Sequence, residues 1–188
     1  MKDIILFDFF GVICSEIAPF WFGDRFDKET ALRIKEELVG PADLGYIDET
    51  ALFEHIARVC DTKADVVRRE WLELAVIDEK MVNLVKSLKE RYKVYLLSNA
   101  PGEFLHEILT KNNLYPLFDR IFISSEIKLA KPSPDYFEYC VREIGASGER
   151  MIFTDDNIKN VMAARNVGID TVHFTGYEDY KTRLEELL

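Results

Sequence analysis

Short apolar runs alternate with longer stretches of helical periodicity along this chain. Residues 4–9, 94–97, 121–124, 151–154 and 171–174 are brief and apolar, the pattern of strands buried on both faces of a parallel sheet. Between the later runs the period lengthens. Residues 79–92 set Met81, Leu84, Val85, Leu88 and Tyr92 on one face, and residues 103–111, 135–144, 158–166 and 178–188 read the same way. Gly145 and Gly168 stand where helices should stop. This alternation predicts a Rossmann-like α/β fold, a parallel sheet sandwiched by helices.

One interval breaks the rhythm. Between the first and second runs lies far more chain than a crossover needs. It shows helical patterning at residues 31–39, at 52–59 after Asp48-Glu49-Thr50, and at 64–75 after Asp61-Thr62, with turns expected at Gly40-Pro41 and Gly45. A small α-helical cap inserted after the first strand accounts for it. The expected division is a core of residues 1–14 and 79–188 and a cap of residues 15–78.

Composition narrows the function. The chain has 188 residues, nearly half of them apolar, and a formal net charge of -10. That balance speaks against nucleic acid as a partner, because phosphate backbones need a basic face. Cys14, Cys60 and Cys140 are far apart and form no CxxC, so neither a disulfide framework nor a zinc site is expected. Asp3 and Asp8 interrupt the apolar start, which does not read as a signal peptide, and no run approaches the ~20 apolar residues of a membrane span. A cytoplasmic protein is expected, monomer or homodimer, with no membrane partner.

Four polar features stand at the carboxyl ends of the expected strands, where open parallel sheets place their sites. They are Asp8, Ser98-Asn99, Lys131-Pro132 and Asp155-Asp156. Each has a plain structural reading. An Asp at a strand end forms turns, Ser-Asn is a loop, Ser133-Pro134 after Lys131-Pro132 is a helix entry, and Asp155-Asp156-Asn157 is a helix cap. Together they define a chemistry. Converging carboxylates repel by about 4 kcal/mol per pair at ~4 Å with an effective dielectric near 20, so they must protonate or recruit a cation. Oxygen ligands beside an anion site favour Mg²⁺. Lys131 and the Ser98 hydroxyl offer a fixed charge and a donor to a phosphoryl group, and a free carboxylate such as Asp8 can attack phosphorus.

The ordered segments Phe7-Asp8-Phe9-Phe10-Gly11-Val12-Ile13, Leu96-Leu97-Ser98-Asn99, Lys131-Pro132-Ser133-Pro134 and Phe153-Thr154-Asp155-Asp156-Asn157 resemble the four motifs of the haloacid dehalogenase superfamily. Asn160, Ala163, Ala164 and Gly168-Ile169 fit the helix and strand that come after the fourth motif in that family, and Leu44-Gly45-Tyr46-Ile47-Asp48-Glu49 is similar to the sugar-phosphate phosphatase and epoxide hydrolase N-terminal branch with its helical type-one cap. The resemblance implies a hydrolase that cleaves a small phosphorylated metabolite with Mg²⁺. Asp8 would be the nucleophile. Ser98, Asn99 and Lys131 would hold the phosphoryl oxygens, with Lys131 also catalytic. Asp8, Asp155, Asp156 and the backbone carbonyl of Phe10 would hold the metal.

Phe10 departs from that pattern. The family's phosphatases usually keep a second Asp there to protonate the leaving alcohol, and losing such a group costs about 10²–10⁴-fold. Two other functions therefore stay open: a non-catalytic phosphate-binding protein, and a 2-haloacid dehalogenase, which carries an aromatic at this position. The latter needs an Arg to hold the substrate carboxylate, with Arg25 and Arg33 as candidates. Phe20, Trp21, Phe22 and Phe26 form either a wall of the substrate pocket or an apolar packing cluster, and His106 is placed near the second motif.

Overall fold

The computed structural model describes residues 2–188. Five strands, β1 (Ile4–Phe7), β2 (Lys93–Ser98), β3 (Arg120–Ile123), β4 (Met151–Asp155) and β5 (Asp170–His173), form one parallel sheet in the order β3-β2-β1-β4-β5. Between β1 and β2 run α1 (Ala18–Gly23), α2 (Lys28–Ile34), α3 (Gly40–Asp43), α4 (Glu49–Val59), α5 (Ala64–Leu74) and α6 (Glu79–Lys89). α7 (Gly102–Lys111) follows β2, α8 (Ser124–Ile127) and α9 (Pro134–Ile144) follow β3, and α10 (Ile158–Asn166) and α11 (Tyr177–Leu187) follow β4 and β5.

Alternation along the strands assigns two faces. Ile5, Phe7 and Ile152 join one apolar cluster, with Val85 of α6, Leu105 of α7 and Tyr180 of α11. Ile4, Leu6, Met151 and Phe153 join the other, with Tyr136 and Phe137 of α9 and Ala164 of α10. The sheet is thus buried on both faces, as its apolar runs predict.

The inserted residues between β1 and α6 share the first of these clusters. Phe22, Phe53 and Trp71 pack in it beside Phe104 of α7. Their rings meet edge to face, with centroids 5.4 Å apart for Phe53–Trp71 and 6.1 Å for Trp71–Phe104. The chain leaves and re-enters the core through adjacent residues. Ser15 N donates to the Val76 carbonyl at 2.9 Å, and Asp78 N donates to the Ile13 carbonyl at 2.9 Å. Side chains of Asp27, Asp48 and Asp78 cap α2, α4 and α6 by accepting from first-turn N–H groups.

Several local expectations are corrected. β1 stops at Phe7, not Phe9, because the Phe9 carbonyl instead accepts from the N–H groups of Val12, Ile13 and Cys14 and turns the chain sharply. Ser124 opens α8 rather than ending β3. Gly40-Pro41 is not a turn. The helix of α2 passes through a π-helical stretch, Lys35–Val39, straight into α3, with Pro41 in the first turn, where its missing N–H costs little. Asp61 does not open α5; it holds φ +49° in the preceding turn, and Lys63 stands at the N-cap without a side-chain bond. Ser133 occupies the N-cap of α9, also without a side-chain bond.

Candidate active site

From β1 the chain builds outward through β2 and β3, then crosses back to add β4 and β5 on the other side. The carboxyl ends of β1 and β4 therefore flank a switch point, where sheets of this kind bind ligands. Asp8 follows β1, Asp155 ends β4, and Asp156 comes next. One carboxylate oxygen from each of the three lies within 4.8 Å of the others.

Lys131, 4% exposed, enters this cluster from the loop before α9. Its ammonium is 2.7 Å from Asp8 Oδ1 and 2.7 Å from Asp155 Oδ2. Burial works against charge on Lys131, but Asp155 and Asp8 outweigh it and hold the ammonium's pKa above its ordinary value. Burial, then repulsion from Asp155, pushes Asp8 well above the usual carboxylate range against the pull of Lys131. Asp156 is pushed up to about 6 by burial, then by Glu16 and Asp155. One ammonium facing three carboxylates leaves the cluster short of positive charge. A divalent cation corrects that count, and the all-oxygen donor set fits Mg²⁺.

The surrounding polar groups fix these side chains. Asp155, fully buried, accepts from Asn157 N at 2.8 Å and from Asn160 Nδ2 at 3.1 and 3.0 Å. Asn157 in turn caps α10 by accepting from Lys159 N. His173 Nε2 donates to the Asp156 carbonyl at 2.8 Å. Gly11 holds φ +81°, and a Cβ there would stand 2.4 Å from Asp156 Oδ2, so this position demands glycine on both counts. Asn99 uses both ends of its amide on the Lys131 backbone, donating to its carbonyl at 2.7 Å and accepting from its N–H at 2.9 Å. Ser98 is fully buried at the end of β2, and its hydroxyl has no partner among the described residues. A buried hydroxyl without a partner is costly, and Ser98 itself does not line the cavity above the acids.

Above the acids lies a cavity of about 170 Å³. Asp8, Asn99, Lys131 and Asp156 line it from the sheet side, and Lys35, Val39, Asp43 and Trp71 from the inserted residues. Glu16, Phe10 and Phe104 complete its sides. Trp71 is 3% exposed, and its indole N–H also lacks a partner among the described residues.

Other sequence candidates lie elsewhere. Arg25 is held by Glu70 at 2.7 Å over the Trp21 ring, Arg33 pairs with Glu37 at 3.6 Å, and neither lines the cavity. His106 faces Tyr115 and Glu126 instead. Of the early aromatics, Trp21 and Phe22 are packed inside and Phe20 is exposed; the aromatic wall is Trp71, Phe104 and Phe10. Burial pushes the Cys14 thiol up to about 12, away from nucleophilic character. Sequence reasoning missed Lys35, Asp43, Glu16 and Trp71 as cavity residues. The spacing of Lys35, Val39 and Asp43, four residues apart each, was the available signal.

Residues 2–168 match the family model for haloacid dehalogenase-like hydrolases. The chain belongs to this family. Among curated relatives, a drimenol cyclase of Aspergillus calidoustus is 28% identical over 164 residues, 82% of this chain and 30% of that one. A sesquiterpene phosphatase of Aspergillus oryzae is 33% identical over 99 residues, 52% of this chain and 50% of that one. The chain thus spans half or less of the length of these two relatives. A solved family enzyme from Bacteroides thetaiotaomicron, in complex with magnesium and inorganic phosphate, superimposes with a TM-score of 0.79 at 23% identity, covering 97% of this chain and 99% of that one. No helix among the described residues is long and apolar enough to cross a membrane.

Proposed function

We propose that this protein is a Mg²⁺-dependent phosphatase of a small phosphorylated metabolite, working through an aspartyl-phosphate on Asp8. The observation that carries this reading is the convergence of Asp8, Asp155, Asp156 and the buried Lys131 at the switch point of the sheet. A phosphatase among its relatives and the magnesium and phosphate bound by a protein of the same fold support it.

Asp8, Asp156, Asp155 and the Phe10 carbonyl would hold the ion. When bound, Mg²⁺ supplies the positive charge that the carboxylate cluster lacks and favours the ionised form of Asp8. Asp8 then attacks phosphorus, and the bond to the leaving oxygen breaks. Lys131 and the unpartnered Ser98 hydroxyl donate to the phosphoryl oxygens where negative charge gathers. Asn99 acts one step back, holding the Lys131 backbone. Residues 15–78 act as a cap that excludes water and selects the leaving group. We place the protein in the cytoplasm, as monomer or homodimer.

The 2-haloacid dehalogenase reading has Phe10 in its favour. It lacks a clamp for the substrate carboxylate, since neither Arg25 nor Arg33 lines the cavity. Asp155 and Asp156 also disfavour an anion that arrives without a cation.

An assay with 4-nitrophenyl phosphate separates these readings. Phosphate release with Mg²⁺, its loss with chelator, and a drop of at least about 10³-fold in Asp8→Asn with folding unchanged are expected. Halide release from 2-haloacids in chelator identifies the dehalogenase. Phosphate binding without turnover identifies the non-catalytic protein.

A further inference from the structure

We propose that Asp43, on the inserted side of the cavity, gives its proton to the leaving alcohol and takes one from the attacking water, the work that Phe10 cannot do. This rests on the phosphatase reading above and deepens it.

The geometry begins with the helical run from Lys28 to Asp43. The π-helical stretch carries α2 into α3 without a break, and Lys35, Val39 and Asp43 form a row that lines the cavity. π-Helical turns are frequent where a helix must aim a functional group. Phe10 lines the same cavity as Asp43, together with Asp8 and Lys131.

Asp43 is half-buried and has no structural employment that explains an acid at this place. No hydrogen bond bears on its carboxyl among the described residues; its surroundings act through burial and through charge at a distance. Lys35 and Lys131 favour its ionised form and Glu16 opposes it. Lys128, on the segment after α8, donates to the Gly45 carbonyl instead. Burial is the largest effect and pushes the carboxyl up to about 7. An acid–base group is most effective when it titrates near the working pH. Glu16 is less suited, because it faces Asp156 and so belongs to the metal side.

The proton balance closes. Asp8 carboxylate attacks phosphorus, the P–O bond to the leaving group breaks, and the Asp43 proton passes to that oxygen as the alcohol departs. Water then attacks the aspartyl-phosphate, its proton returns to Asp43, the P–O bond to Asp8 breaks, and inorganic phosphate leaves.

The test compares Asp43→Asn with wild type on a primary alkyl phosphate, whose alkoxide needs a proton, and on 4-nitrophenyl phosphate, whose phenolate does not. The alkyl kcat should fall by at least about 100-fold and the aryl kcat by much less. The wild-type alkyl rate should decline above neutral pH, and that limb should vanish in the variant. Phe10→Asp placed in the Asp43→Asn background should restore the alkyl rate, which no structural role for Asp43 would do. In metal-free protein, ¹³C NMR of labelled aspartate should show, besides the raised carboxyls of Asp8 and Asp156, a carboxyl titrating near neutrality that is present in wild type and absent from Asp43→Asn. Equal losses on both substrates, or no such resonance, overturn the proposal for Asp43 while leaving the phosphatase reading intact. Wild-type protein inert to both phosphates overturns the two together.

Discussion

On the sheet side of the cavity, polar side chains hold one another. Lys131 bridges Asp8 and Asp155, Asn160 grips Asp155, and Asn99 clamps the Lys131 backbone. On the inserted side, Asp43 and the Trp71 indole face the same space without a hydrogen-bond partner among the described residues. On the phosphatase reading, the first wall is organised before any substrate arrives, which is what charge stabilisation at a reacting centre requires. The second wall offers groups that a substrate must satisfy, which is how a site rejects molecules lacking the matching atoms.

The sharpest way to break this contrast is Lys131→Met. Removing the ammonium leaves Asp8 and Asp155 buried against each other. Turnover of 4-nitrophenyl phosphate should fall at least about 10³-fold, and metal-free stability in urea by about 3 kcal/mol. A variant as stable and active as wild type would show that the sheet-side network is ornamental. A milder test is Gly11→Ala. Its Cβ would collide with Asp156 Oδ2 at 2.4 Å, on a backbone at φ +81°. Mg²⁺ affinity by calorimetry should weaken about tenfold, with about 1–3 kcal/mol lost from stability. Unchanged affinity would detach Asp156 from the metal.

The effect on stability expected from the inserted wall is one of pH. Asp43 keeps its proton in the fold up to about 7, while the unfolded chain releases it near 3.8. Its contribution is therefore full below the unfolded value and is lost as pH rises through the folded one. Metal-free Asp43→Asn should match wild type near pH 4 and gain on it steadily up to pH 8 by urea unfolding. Parallel pH profiles would mean that Asp43 does not feel the cavity.

The same division separates the residues that were legible in the sequence from those that were not. Asp8 and Asp155-Asp156 were readable because short apolar runs end in acids, and a parallel sheet brings such ends together. The end of β1 was not, since Phe9 continues the apolar run while its carbonyl leaves the ladder for the turn at Gly11. Lys35 and Asp43 were hidden for another reason. Their stretch reads as the solvated face of an amphipathic helix, and nothing local says that this face turns toward a sheet. The run through Gly40-Pro41 deepened the disguise, because two residues that usually end a helix are carried here by a π-helical turn. Asn160 was placed on the helix that follows the fourth motif, but its hold on Asp155 depends on how α10 packs against β4.

The paired backbone at Ser15–Val76 and Ile13–Asp78 has one more consequence. A detour that departs and returns at neighbouring points leaves the flanking strands in nearly the register they would have without it. Its closure entropy grows only with the logarithm of its length, about 0.6 kcal/mol for each doubling. Evolution could therefore lengthen, shorten or exchange the excursion while β1 and β2 stayed paired, giving one sheet a succession of different insertions.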